Sequence, residues 1–313
     1  MNRAHPKDVL FGVAVGDAIG VPVEFKSRQE LVNDPVTGVR GYGSHRQPPG
    51  TWSDDSSLTF CLAEMLCKKY DLQDLANRFV NWKTGNYWTP HGEVFDMGMA
   101  TSAAIDRLER GIDPRQAGGN GVDSNGNGSL MRILPLLFRV KDLDIDRRFL
   151  MVSDVSSLTH RHIRSVLSCF IYIEIAIGLL EGKDKHAAYR QACETVRGYL
   201  DTSAVCTEEE RMNFARIFSG TIGEEEEGHI HSSGYVLHTL EASIWCLLNT
   251  KNYEQAVLRA TNLGSDTDTT AAVTGGLAGL LYGWQTIPKE WLSVLARRMD
   301  IEELAERLEK KLQ

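Results

Sequence analysis

Two short acidic segments carry the residues best suited to chemistry. They are "GTWSDDSSL" and "GSDTDT", and each combines two carboxylates with a hydroxyl: Ser53, Asp54 and Asp55 in the first, Asp266, Asp268 and Thr269 in the second. Neither segment contains His or Cys. Hard oxygen ligands of this kind prefer Mg²⁺, Ca²⁺ or Mn²⁺ over zinc.

If the fold brings the two segments together, their carboxylates require a cation. Like charges in a packed helical core are strongly unfavourable without a compensating positive charge. The pairing therefore implies a two-metal site, although spacing along the chain does not establish that the segments meet. Each segment alone also fits an ordinary helix start, because Ser and Asp are preferred N-caps and Asp suits the positive end of the helix dipole.

The residues after Asp268 predict an unusual helix. Its apolar positions recur with helical spacing, at Val273, Leu277, Leu280 and Leu281, beside a second stripe of Ala272, Gly275, Gly276 and Gly279. Each interior glycine costs about 1 kcal/mol relative to alanine, so we expect this helix to be central and closely packed. Asp266 and Asp268 would lie about 200° apart on a regular helix. We therefore expect them at an irregular loop-to-helix junction, where they can converge with Thr269.

The segment "GVAVGDAIGVPVEF" predicts a second closely packed helix. Gly12, Gly16 and Gly20 recur at every fourth position, and Pro22 is expected to end the helix just before Glu24. A carboxylate at such an end can act as a general acid or base. The alternative for Glu24 is an exposed acid that merely follows a helix.

The segment "SNGNGSLMR", Ser124 to Arg132, is rich in Gly and Asn. We expect a helix to start near Ser129, with free N–H groups and a positive dipole end that could cradle a diphosphate. A flexible loop without a ligand explains the same composition.

These segments must be positioned by helices, because helical periodicity dominates the chain and alternating strand patterns are hard to find. The sequence has 313 residues, of which 42% are hydrophobic and 24% charged. No repeat or long linker divides it, which predicts an all-α, orthogonally packed single domain over residues 1–313.

The charge balance limits the partners. The net charge is −8 and no Lys/Arg run occurs, which disfavours general nucleic-acid binding or a membrane-surface role. The amino terminus lacks a signal-peptide layout, and the six cysteines contain no C-x-x-C pair. We expect a cytoplasmic protein with free thiols.

Several segments together resemble one family. "GDAIGVPVEF", "GTWSDDSSL", "NGNGSLMR", "THRH", "GYVLHTLEASIW" and "GSDTDTTAAVTGGLAGLLYG" occur in the order seen in ADP-ribosylglycohydrolases. The resemblance covers roughly Asp8 to Gly283 and is specific because several motifs keep a fixed order. It implies an all-α fold, a binuclear Mg²⁺ or Mn²⁺ centre, and release of ADP-ribose from modified arginine, serine or related acceptors.

The resemblance also implies site residues. The metal ligands it implies are Ser53, Asp54, Asp55, Asp266, Asp268 and Thr269. The substrate contacts it implies are Asp96 of "DMGMAT", the phosphate loop Ser124, Gly126, Asn127, Gly128 and Ser129, the ribose-side His160, and Tyr235 against the adenine or terminal ribose. Glu24 matches the acidic residue that follows the first motif. Ser53 replaces the usual threonine and keeps the hydroxyl. Met97 replaces the usual isoleucine after Asp96, which puts the acceptor preference in doubt more than the catalysis.

The implied reaction is hydrolysis of the glycosidic bond at the anomeric carbon of the terminal ribose. Glycosidases commonly divide this work between two carboxylates. Here the metals would bind the ribose hydroxyls and orient water, and the proton would be moved by Glu24 or by a metal-ligating carboxylate, Asp55 or Asp268. The partner would be ADP-ribose or an ADP-ribosylated protein.

Three other interpretations remain. A terpene synthase also has an all-α fold with two Asp clusters, but its first motif needs a third acid where Ser56 to Thr59 stand. A non-catalytic ADP-ribose-binding protein, or an immunity protein that occludes a toxin, would keep the same ligands. A structural helical protein would use the acids only as caps. The sequence leaves open the acceptor (arginine, serine, O-acetyl or nucleobase), the biological role and the oligomeric state.

Overall fold

A computed structural model describes residues 5–312. These residues form seventeen α-helices joined by loops and short 3₁₀ turns, with no β-strand among them, so the predicted all-α fold is confirmed. The helices are α1 Pro6–Gly20, α2 Arg28–Asn33, α3 Asp54–Leu66, α4 Leu72–Gly85, α5 Met99–Glu109, α6 Pro114–Ala117, α7 Leu137–Val140, α8 Ile145–Ser157, α9 Ile163–Leu180, α10 Lys185–Thr202, α11 Glu208–Met212, α12 Ala215–Phe218, α13 Val236–Leu248, α14 Tyr253–Asn262, α15 Thr267–Tyr282, α16 Lys289–Val294 and α17 Arg298–Leu312.

The antiparallel pair α1 and α15 forms the centre of the fold. A Cβ added at Gly12 would lie 2.5 Å from the Gly275 carbonyl oxygen, and one added at Gly16 or Gly20 would overlap the backbone of α15. The glycines of both helices are therefore needed for this close approach, as the sequence predicted. Because Gly20 lies against Asp268, the carboxyl end of α1 meets the amino end of α15.

The amino end of α3 is fixed by the carboxyl-terminal helices. Trp52 is fully buried and donates its indole N–H to the Ala296 carbonyl at 2.9 Å. The Ala296 N–H in turn donates to the Gly50 carbonyl at 2.9 Å. α17 packs on both α1 and α3. These contacts hold the segment before Ser53 against the central helix pair.

The remaining long helices cover α15. α13 and α14 pack along it, and α9 contacts α15, α8, α10 and α13. α9 is long and apolar enough to cross a membrane, with a mean hydropathy of 1.9, but 89% of it is buried inside the protein. Its surroundings are those of a core helix.

The predicted helix start near Ser129 is wrong. Residues 128–132 form hydrogen-bonded turns, and the next α-helix is α7, after a 3₁₀ turn over Leu134–Leu136. Two local features explain the difference. The Arg132 guanidinium donates to the Gly128 carbonyl at 2.9 Å, and Pro135 has no N–H to continue an α-helical ladder. No helix dipole is therefore available to this loop.

Candidate metal centre and substrate site

The first acidic segment is positioned by Asp17, a residue that sequence reasoning missed. Ser53 is the N-cap of α3, and its hydroxyl accepts the Asp55 N–H at 3.3 Å. The fully buried Asp17 carboxylate of α1 accepts the Ser53 N–H at 2.9 Å and the Ser56 hydroxyl at 2.5 Å. Asp17 thus supplies a second cap from another helix, which orients the first turn that carries Asp54 and Asp55. The available signal was an acid between the glycines of a helix predicted to be closely packed.

The second acidic segment starts α15 without an ordinary cap. Asp266 occupies the N-cap position, but its side chain makes no capping hydrogen bond. Instead its Oδ2 accepts the side-chain N–H of Asn127 at 2.8 Å. The backbone before it is irregular, with positive φ at Gly264 and Ser265, as expected for this junction. The simple capping interpretation therefore does not account for Asp266.

The structure brings the two acidic segments together. The Thr269 hydroxyl lies 3.4 Å from Asp55 Oδ2, and the Ser53 hydroxyl donates to the same oxygen at 3.0 Å. Residues 5–312 contain three candidate metal groups, each with ligand atoms within 4.8 Å of one another. Asp268 belongs to two of them: Asp17, Asp55 and Asp268 in one, Glu24, Asp266 and Asp268 in the other. The third consists of Glu24, His45 and Asp96. Asp54 is also buried, and burial, followed by the charge of Asp96, raises its pKa well above the usual range.

The electrostatics of this cluster favour a cation. Burial raises the pKa of Asp17 to about 7 and of Glu24 to about 8. Burial, followed by repulsion from neighbouring carboxylates, also raises the pKa values of Asp55 and Asp268 well above their usual range. Both carboxylate oxygens of Asp268 and Oδ1 of Asp55 are buried and have no hydrogen-bond partner within residues 5–312.

Leaving a buried carboxylate oxygen unpaired is costly. A cation in contact with these oxygens removes that cost. The donors are carboxylates and hydroxyls, so they fit Mg²⁺ or Mn²⁺. The predicted residues are therefore suited to a metal, and Asp17 and Glu24 extend the set.

The opening of the cluster is formed by Glu24, Asp96 and His45. Glu24 is only 6% exposed, so its interpretation as an exposed acid after a helix is wrong. Its carboxylate is hydrogen-bonded to His45 Nε2, which also lies 3.6 Å from Asp96 Oδ1. The His45 ring is flanked by Phe25 and Phe95, with ring centroids 5.7 and 5.3 Å away.

Sequence reasoning did not identify His45. It stands alone in a turn-rich segment, and only the folded chain places it between two carboxylates. Burial, followed by the charge of Glu24, raises the pKa of Asp96 to about 7. The predicted substrate contact Asp96 therefore lies at the acidic opening, close to Glu24.

The predicted phosphate loop lies beside the second acidic segment. Asn127 connects them, because its side-chain N–H groups donate to both Asp266 and Thr239 at 2.8 Å. Ser124 is partly exposed, whereas Ser129 is fully buried and its hydroxyl accepts from Ser156 at 2.9 Å. The Ser129 hydroxyl thus faces the core, so only the backbone of Ser129 could contact a ligand.

His160 and Tyr235 border this loop. A Cβ at Gly128 would lie 2.8 Å from His160 Cε1, and one at Gly126 would lie 3.3 Å from Nε2, so both glycines permit the close approach of the ring. Tyr235 pairs with Gly126 through a backbone bridge. Its hydroxyl accepts from Arg164 at 3.0 Å. Both residues therefore lie next to the 124–129 loop.

Comparisons with known proteins agree with this architecture. The ADP-ribosylglycohydrolase family profile matches residues 3–313. The ADP-ribosylarginine hydrolase Tri1 of Serratia proteamaculans (strain 568) is 35% identical over 307 residues, covering 96% of this chain and 78% of that protein. The ADP-ribosyl-(dinitrogen reductase) glycohydrolase of Rhodospirillum rubrum is 26% identical, covering 94% of this chain and 90% of that protein.

A solved structure described as an ADP-ribosylglycohydrolase-related protein complex superimposes with a TM-score of 0.82 at 30% identity. The match covers 99% of both chains. The family match over nearly the whole chain also excludes the terpene synthase and purely structural interpretations. The chain belongs to the ADP-ribosylglycohydrolase family and is an ADP-ribosylhydrolase, a glycosidase that acts on ADP-ribosyl bonds.

Proposed function

We propose that this enzyme is a Mg²⁺-dependent hydrolase that releases ADP-ribose from ADP-ribosylated arginine. The observation that carries the metal dependence is Asp268, which is fully buried and belongs to two candidate metal groups. Neither of its oxygens has a hydrogen-bond partner in the described part of the chain. The arginine acceptor is supported by two relatives, each named an ADP-ribosylarginine hydrolase, at 35% and 34% identity.

The metal would be held by the converging acidic segments. The proposed ligands are Ser53, Asp54, Asp55, Asp266, Asp268 and Thr269. Together they offer enough oxygen donors for two Mg²⁺ or Mn²⁺ ions. When bound, such ions supply Lewis-acid polarisation of the oxygens that they contact. Asp17 keeps the α3 ligands in place through the bonds to Ser53 and Ser56.

Glu24 is the proposed proton carrier. It lies at the opening of the cluster, next to His45, whereas Asp55 and Asp268 lie at its buried end. A carboxyl group with a raised pKa can both give and accept a proton near neutral pH. Cleavage of the glycosidic bond requires a proton on the departing nitrogen and removal of one from water, and Glu24 is placed for such a transfer.

The acidic opening suits a guanidinium group. Asp96 and Glu24 present carboxylates there, and Phe25, which is 70% exposed, adds an aromatic face. Guanidinium groups bind carboxylates through paired hydrogen bonds and stack on aromatic rings. On the other side, the backbone of residues 124–129 would hold the diphosphate, His160 the ribose side, and Tyr235 the adenine or terminal ribose.

Release of free ADP-ribose tests the proposal. The purified enzyme is incubated with arginine-ADP-ribosylated protein and, separately, with serine-ADP-ribosylated protein, in Mg²⁺ or in EDTA. We expect Mg²⁺-dependent release from arginine, and loss of turnover when Asp55→Ala is combined with Asp268→Ala. Release that survives EDTA would overturn the metal dependence, and release from serine alone would overturn the acceptor.

We also propose a cytoplasmic location. All six cysteines are free thiols, and four of them are buried, which suits a reducing compartment. Fractionation of cells, with detection of the protein by antibody, tests this location.

A further inference from the structure

Arg132 is a buried cation without a carboxylate partner among residues 5–312. It is 0% exposed and lies over the Phe79 ring, 5.0 Å from its centroid. Its guanidinium donates to three neutral oxygens: the Gly128 carbonyl at 2.9 Å, the Val155 carbonyl at 3.1 Å and the Thr159 hydroxyl at 2.9 Å. Burying a charge in this way is costly. The cost indicates that Arg132 does more than fill space.

The hydrogen bonds of Thr159 have only one consistent direction. A guanidinium carries donors and no acceptor, so the Thr159 oxygen accepts from Arg132. The Thr159 oxygen could accept a second hydrogen bond, but its own hydrogen also needs an acceptor. Within residues 5–312 the other neighbour of this hydroxyl is His160 Nδ1, at 2.9 Å. Nδ1 therefore accepts the hydroxyl hydrogen and carries none itself, an arrangement that the nearby positive charge of Arg132 also favours. In a neutral imidazole the proton must then lie on Nε2.

His160 is held in its neutral form. Burial, followed by the positive charge of Arg132, lowers the pKa of His160 to about 3. Arg132 itself stays charged at neutral pH, because burial lowers its pKa only to about 10. The bond to Thr159 is the only hydrogen bond of the His160 ring within residues 5–312. The Nε2 atom lies instead beside Gly126, next to the residue that anchors Asp266.

We infer that Arg132 is a positioning residue that acts through Thr159 to fix His160 as the Nε2–H tautomer. His160 then presents a neutral donor to an oxygen of the ADP-ribosyl group at the 124–129 loop. The opposite tautomer would aim a lone pair at that oxygen and repel it. The identity of this ligand rests on the proposed function, whereas the tautomer does not.

The tautomer can be measured without substrate. The full-length protein is labelled with ¹⁵N-histidine, and long-range ¹H–¹⁵N correlation spectra report which ring nitrogen carries the proton. His160→Gln assigns the signal. We expect a pure Nε2–H pattern in the wild type and in Thr159→Ser, which keeps the hydroxyl. Thr159→Val keeps the shape and removes the hydroxyl, so its His160 should show a mixture of tautomers.

Arg132→Met gives an independent check, provided that its circular dichroism matches the wild type. Without the guanidinium, the positive charge that disfavours a hydrogen on Nδ1 is lost, so a mixture is again expected. If Arg132→Met fails to fold, Thr159→Val decides alone. A wild-type Nδ1–H pattern, or an unchanged pure Nε2–H pattern in Thr159→Val, would overturn the inference.

Binding connects the tautomer to the ligand. Calorimetric titration with free ADP-ribose should show about tenfold weaker binding for Thr159→Val than for Thr159→Ser, the effect of one lost hydrogen bond. The KM for ADP-ribosylated protein should rise more than kcat falls. Equal affinities of the two variants would show that His160 does not donate a hydrogen bond to the ligand. No binding by the wild type would instead count against the proposed function, with the tautomer result unaffected.

Discussion

Asp17 accepts the Ser53 N–H with both carboxylate oxygens, at 2.9 and 3.0 Å. The two residues belong to different helices, so this contact connects the centre of the fold to the start of α3. The Ser56 N–H and hydroxyl donate to the same carboxylate, at 3.1 and 2.5 Å. The direction in which Asp54 and Asp55 project is therefore set by a residue of α1.

The first prediction concerns Asp17→Asn. The amide would present a donor to groups that are themselves donors, so the first turn of α3 should lose its fixed orientation. We expect Mg²⁺ affinity to fall about tenfold to a hundredfold, the range for groups that orient metal ligands. Isothermal titration of the EDTA-treated protein with Mg²⁺ measures this. Ser56→Ala is the matched control, because it removes one bond to Asp17 and keeps the charge; its affinity should fall less. Wild-type affinity in Asp17→Asn would contradict the positioning role.

The second prediction concerns the pH dependence of the metal-free protein. The folded-state pKa values of Asp17, Asp96 and Glu24 are raised to about 7, 7 and 8, whereas the unfolded values lie near 4. The folded state therefore binds more protons between these limits, and its stability falls as pH rises toward 8. Each such proton contributes at most about 1.4 kcal/mol per pH unit.

Urea unfolding at pH 6 and pH 8.5 checks this dependence. In EDTA the free energy of unfolding should be lower at pH 8.5. In Mg²⁺ the difference should shrink or reverse, because the ion binds the deprotonated carboxylates. Equal free energies at the two pH values in EDTA would show that the folded-state pKa values of these carboxyl groups are not raised.

The third prediction separates the effect of Asp268 on catalysis from its effect on stability. Asp268→Asn removes a buried carboxyl group that has no hydrogen-bond partner within residues 5–312, so the EDTA-treated variant should melt at a higher temperature than the wild type. The same change should lower kcat by at least about a thousandfold, since Asp268 belongs to two of the candidate metal groups. Differential scanning calorimetry and the ADP-ribose release assay measure the two effects. Asp142→Asn, at an exposed position, serves as the control and should change neither. A destabilised, active Asp268→Asn would contradict the assignment.

The parts of the site that the sequence predicted are those encoded locally. Ser53 with its two acids, and Asp266 with Asp268, stand at helix starts that periodicity reveals. The glycines at every fourth position predicted the close contact of α1, which ends in Gly20, with another helix. Pro22 correctly predicted the end of α1 before Glu24.

The parts that were missed depend on contacts distant in sequence. In the sequence Asp17 is an ordinary acid on a helix, and its role depends on the contact of α1 with α3. His45 is positioned by its hydrogen bond to Glu24 and by the two flanking aromatic rings. The helix predicted near Ser129 does not form, because the Arg132 side chain donates a hydrogen bond to the Gly128 carbonyl. None of these contacts follows from the spacing of residues along the chain.

The last prediction concerns the acceptor and uses Asp96→Asn. Asp96 has a φ of +58°, and Asn tolerates this left-handed conformation better than Ala does, so the change removes the charge and leaves the backbone in place. If Asp96 binds the guanidinium, kcat/KM for arginine-ADP-ribosylated protein should fall at least about tenfold, as for a lost charged hydrogen bond.

The affinity of Asp96→Asn for free ADP-ribose separates this role from a general one. Free ADP-ribose has no guanidinium, so its Kd should stay within about threefold of the wild-type value if Asp96 faces only the acceptor. Asp96 also lies close to Glu24, and burial, followed by the charge of Glu24, raises the pKa of Asp96. A variant that binds ADP-ribose as poorly as it cleaves the arginine substrate would therefore place Asp96 at the ribose and metal side of the site, and the acceptor preference would have to come from Phe25 and the rest of the acidic opening.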